Sequence, residues 1–78
     1  MEQTILDALQ AIASNNDEIE KNSLSAIELI AKETSSEAKE SLAKLMRDHG
    51  TRASVRNLAA KALGVDIKFS EEEIHITE

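Results

Sequence analysis

Proline is absent from all 78 residues, and the two glycines, Gly50 and Gly64, stand alone. A turn-rich β domain draws on Gly and Pro for its reversals, so this chain points instead to helices joined by short polar breaks. Cysteine is absent too, which removes a disulfide framework and any thiolate zinc site. The length allows one domain. Hydrophobic residues are 41% of the chain, and eleven of those 32 positions are alanine. The 21 larger apolar side chains that remain make a thin core, and a domain of this size hides only about 60% of its unfolded surface.

Apolar periodicity and capping residues divide the chain into four helices, at about 4–14, 17–33, 36–49 and 52–63, followed by an extended tail over 65–77. The first carries Ile5, Leu9 and Ile12 as its stripe, with Leu6, Ala8 and Ala13 beside it and Thr4 as a cap. Ser14-Asn15-Asn16 offers a break, with Asn15 or Asn16 capping the second helix. A rival reading fuses the two. Ile5, Leu9, Ile12, Asn16, Ile19, Ser23, Ala26 and Ile30 alternate by four and three, which is a heptad seam with polar residues at Asn16 and Ser23. In the second helix Ile19, Ser23, Ala26 and Ile30 lie beside a stripe of Leu24, Ile27 and Ala31. Asp17–Lys21 and Glu28–Lys32 have the i,i+4 spacing of favourable ion pairs.

The third helix opens at Thr34-Ser35-Ser36-Glu37, where Thr34 and Glu37 have capping-box spacing and Ser36 is a second cap. It turns Ala38, Leu42, Leu45 and Met46 inward and ends with Lys44, Arg47 and His49 against its negative dipole end, with Gly50 as a left-handed stop. Thr51 caps the fourth helix, which presents Val55, Leu58, Ala59, Ala62 and Leu63 and stops at Gly64. The tail changes period. Val65-Asp66-Ile67-Lys68-Phe69 and Ile74-His75-Ile76-Thr77 alternate, predicting a C-terminal β-strand or small hairpin around Ser70-Glu71-Glu72-Glu73, although Ser70 and Glu73 also have the spacing of a helix cap. The expected fold is therefore mainly α, a compact bundle of three or four helices with that strand or hairpin attached.

Charge restricts the partners. Fifteen acids against nine bases give a net of −6, distributed as −5 over 1–34, +3 over 35–64 and −4 over 65–78. An acidic total disfavours general phosphate binding, so nucleic acid is not the expected partner. No apolar run approaches the ~20 residues of a membrane span. Met1-Glu2-Gln3 lacks a basic signal-peptide start, so the expected location is cytoplasmic. His49 and His75 have no ligand spacing around them, no glycine-rich phosphate loop exists, and no nucleophile has a base beside it. The expectation is a non-enzyme without metal or cofactor.

Two local likenesses stand in the basic middle. Ser54 to Val65, through Ala60, Gly64 and Val65, resembles the first helix and turn of a helix-turn-helix motif, which implies DNA binding through the basic 39–61 region. The acidic stretch to Glu73 then stands where a recognition helix should follow. Ser36–Gly50 and Thr51–Gly64, with Ala-Lys at 31–32, 43–44 and 60–61, look somewhat like the paired helices of HEAT-type repeats, which implies protein binding. A third reading takes Asp17-Glu18-x-Glu20 and Glu71-Glu72-Glu73 as phosphate mimics in an acidic inhibitor of a nucleic-acid enzyme. The leading expectation is a small regulatory or adaptor protein that binds a protein partner or itself, probed first at Ile67, Phe69, Ile74, Ile76, Arg52 and Arg56.

Overall fold

Four helices fold on one another in the computed structural model, which describes residues 1–70: α1 (Gln3–Ser14), α2 (Glu20–Lys32), α3 (Ser36–Arg47) and α4 (Ala53–Leu63). The mainly helical expectation holds. Helix α2 is the hub and packs against α1, α3 and α4, while α3 and α4 pack closely on each other. The core is Leu6 and Ala13 of α1, Ala26, Ile27 and Ile30 of α2, Ala38, Leu42 and Leu45 of α3, and Val55 and Ala59 of α4. Alanines at four of these ten positions let the helix backbones approach, at the cost of apolar area. Each fully buried Leu, Ile or Val contributes about 1.5–3 kcal/mol.

The break between the first two helices is real. Residues 15–19 are non-helical, so the fused heptad helix does not form. Neither Asn15 nor Asn16 caps α2, and Asn15 is instead the C-cap of α1, its amide donating to the Ile12 carbonyl. The Asn15 Oδ1 accepts from the Asp17 amide at 2.9 Å, a local turn that holds the chain out of helical register. Helix α2 starts three residues later than expected, with Ile19 at its N-cap and no side-chain cap. Asp17 therefore lies outside the helix and has no i,i+4 relation to Lys21.

The caps differ from the expected ones in instructive ways. At α1 the cap is Glu2 rather than Thr4. At α3 it is Ser35, between the two candidates, and its Oγ accepts from the Ala38 amide at 3.2 Å. Thr51 is buried and one residue too early to cap α4, whose N-cap is Arg52. Instead, Thr51 Oγ1 donates to Asp48 Oδ2 at 2.9 Å while Asp48 Oδ1 accepts from the Gly50 amide at 2.9 Å. That aspartate holds the turn between α3 and α4, so Gly50 is not left-handed and α3 ends at Arg47, leaving His49 exposed in the turn. Gly64 does behave as expected. Its φ of 78° is left-handed, the Val65 amide donates to the Ala60 carbonyl at 2.9 Å and the Gly64 amide to Lys61 at 3.0 Å, which together make a Schellman stop.

The tail corrects the strand expectation. Residues 65–70 have no regular secondary structure, and no strand is found among the described residues. The rest of the predicted hairpin, with Ile74 and Ile76, lies outside them.

Candidate functional site

Two surfaces stand out, one polar and one apolar. The polar one is built on α4. Arg56 is only 9% exposed. Its Nε donates to the Met46 carbonyl at 2.9 Å, one of the last carbonyls of α3, which have no partner within their own helix. A cation there also opposes the negative end of the α3 dipole. The outer face of the same guanidinium lies 3.8 Å from the centroid of the Phe69 ring, within cation–π range. The neighbouring Asn57 takes the Phe69 main chain: its Nδ2 donates to the Phe69 carbonyl at 3.0 Å, and its Oδ1 accepts from the Phe69 amide. A residue whose own N–H and C=O face one partner is extended, as in the hydrogen-bonded pairs of an antiparallel ladder. Asn57 thus holds the Phe69 main chain on α4 within a segment that has no regular secondary structure.

Asn57 was legible only as an oddity: a poor helix former amid the Ala and Leu of α4. Phe69 is half-buried and belongs to this site. Ile67 is 50% exposed beside it. Arg52 goes elsewhere. Its guanidinium donates to the Asn16 and Glu18 carbonyls at 2.8 and 2.7 Å, and its amide donates to Asn16 Oδ1 at 3.1 Å. Asn16 Nδ2 in turn donates to the Gly50 carbonyl. This clasp joins the α1–α2 loop to the α3–α4 turn, so Arg52 is a structural residue here. Arg52 and Arg56 both serve main-chain carbonyls, leaving Lys39, Lys44, Arg47 and Lys61 as the exposed bases of the middle region. No helix follows α4 through residue 70.

The apolar surface is on α1. The seam residues expected inside, Ile5 and Ile12, are 50% and 36% exposed, while Leu6 and Ala13 are buried in their place. Ile5, Ala8 and Ile12 share one outward face of α1, since residues three, four and seven apart lie on one side of a helix. Ile19, just beyond, is exposed as well.

Among the described residues no group of three or more His, Asp or Glu side chains converges as a metal site, and no helix is long and apolar enough to cross a membrane. Comparison with known proteins gives no match to a family model, a curated protein or a solved structure.

Proposed function

We propose that this protein is a non-catalytic interaction module that pairs with a second copy of itself through the outward face of α1. The supporting observation is the exposure of Ile5 and Ile12 on a helix whose other face is already packed. The face suits self-pairing. A two-fold axis across antiparallel α1 helices sets Ile5 of one copy against Ile12 of the other, with the small Ala8 near the crossing, where it permits close approach. Asp7 is the one formal charge in the helix and lies off this face, so no charge row opposes the contact. A helix of 12 residues is about 18 Å long. That contact is smaller than a standard interface of about 1,600 Å², so the association is reversible and concentration-dependent.

Sedimentation equilibrium over a concentration series tests this. The native chain is expected to approach the dimer mass, and the Ile5→Asp, Ile12→Asp double variant to stay monomeric with an unchanged helical circular-dichroism spectrum. A native chain that remains monomeric at its highest attainable concentration overturns the reading.

A further inference from the structure

Leu29 is 47% exposed on α2, although Ala26, Ile27 and Ile30 of the same helix are in the core. Two contacts fix its surroundings. The Met1 amine donates to Glu33 Oε2 at 2.6 Å, and Ser23 Oγ donates to the Ile12 carbonyl at 3.1 Å. Helices α1 and α2 are therefore antiparallel, and their register sets Ile5 level with Leu29 and Ile30. On α1, Ile5, Ala8 and Ile12 form one stripe, which Met1 continues. On α2, Asn22, Ala26, Leu29 and Glu33 recur at the same spacings and form another.

The opposite sides of both helices are occupied. Asp7, Gln10 and Ser14 of α1 border Lys44 of α3, and Leu24 and Ile27 of α2 pack into the core. The two stripes thus lie side by side on the outer face of an α1–α2 layer, turned away from α3 and α4. Met1, Ile5, Ile12 and Leu29 are four of the six exposed large apolar side chains among the described residues, and all four are on this face. Glu33, the charged member of the stripes, is ion-paired to the Met1 amine, so no unpaired charge interrupts them.

Resting on the self-pairing of α1 set out above, we propose that the surface covered by the second copy is this whole two-helix face, with Leu29 as the contact that α2 contributes. Area favours it. The strip offered by α1 alone falls short of a standard interface, and a second helix about 8–10 Å away roughly doubles its width. Symmetry permits it. The two-fold axis that sets Ile5 against Ile12 of the other copy also lays α2 over α2. Leu29 then flanks the Ile5–Ile12 contact, over Asn22 and Ser25 of the other copy, whose short side chains admit it. The neutral apolar stripes meet without a like-charge contact, although the chain carries a net charge of −6.

Sedimentation equilibrium of full-length single variants tests this, with circular dichroism to verify that each stays helical. Leu29→Ala keeps the charge and a strong helix former. It is expected to weaken pairing about tenfold, because a two-fold interface loses the apolar area twice. Leu29→Asp is expected to weaken it further. Ile67→Asp makes the same change of charge beside α4, off this face, and is expected to pair like the native chain. If both Leu29 variants pair like the native chain while Ile5→Asp, Ile12→Asp does not, α1 pairs without α2 and this proposal alone is overturned. Equal weakening by Leu29→Asp and Ile67→Asp, with none from Leu29→Ala, overturns it too, since net charge then accounts for the loss. A native chain that stays monomeric overturns both this surface and the α1 pairing beneath it.

Discussion

Gly64 is the residue at which backbone conformation alone decides the outcome. A Cβ added there meets nothing within 4 Å, yet φ is +78°. The cost of Gly64→Ala is therefore strain without a clash, about 1–2 kcal/mol. Thermal melts are expected to show a lowered midpoint, and an unchanged midpoint would mean the left-handed stop is absent. Ser54 presents the opposite case. Its Oγ is buried and without a hydrogen-bond partner among the described residues. A buried unsatisfied hydroxyl is a liability of about 1–3 kcal/mol. Ser54→Ala, which also replaces a modest helix former with the best one, is expected to raise the denaturant midpoint, and a fall would show that the hydroxyl is bonded in solution.

At the scale of elements, helix ends are completed by residues that belong to other helices. Ser23, buried in α2, donates from Oγ to the Ile12 carbonyl near the end of α1 at 3.1 Å. Arg56 of α4 does the same for Met46 of α3. The polar seam position that weakened the heptad pattern at Ser23 is thus a capping device. Arg56→Ala removes a charged donor from a sheltered carbonyl and is expected to cost about 2–3 kcal/mol, measured by urea unfolding. Arg56→Lys is expected to recover only part of that, because an ammonium lacks the planar face that stacks on Phe69. Ser35→Ala removes the side-chain cap of α3 and is expected to cost about 1 kcal/mol, read from the same titration. A loss confined to a few tenths would mean that water replaces the cap.

For the molecule as a whole, two kinds of contact hold the helices in place. The core centred on Ile27, Ile30 and Leu45 joins α2 to its neighbours. At one end of the molecule, the Asn16 and Arg52 clasp ties the α1–α2 loop to the α3–α4 turn. Asn16→Ala removes two main-chain partners together, the Gly50 carbonyl and the Arg52 amide. Hydrogen exchange is expected to accelerate in the two connected loops before it does in α2. Uniform acceleration throughout the chain would show that the clasp supports global stability rather than the loops.

Local chemistry in the sequence limited the chain to three or four helices and marked roughly where they stop, and the folded structure has four over the described residues. The polar run at Ser14-Asn15-Asn16, the hydroxyls at Thr34-Ser35-Ser36 and the bare Cα of Gly64 each oppose continued helix for reasons contained within a few residues. Which face of α1 turns inward was not decided there. Ile5, Leu6, Leu9, Ile12 and Ala13 share one arc of about 120° on that helix, and packing buried its Leu6 and Ala13 edge while leaving the Ile5 and Ile12 edge exposed. The roles of Arg52 and Arg56 were equally hidden. A basic residue in an excess of bases reads as surface charge until the chain brings a carbonyl from 10 or 34 positions away within reach. Nor could alternation in the tail distinguish a strand beside a strand from an extended segment on a helix, because both expose one side to water. Only the tertiary structure placed the carboxamide of Asn57 against the main chain of Phe69, two residues that nothing in the sequence pairs.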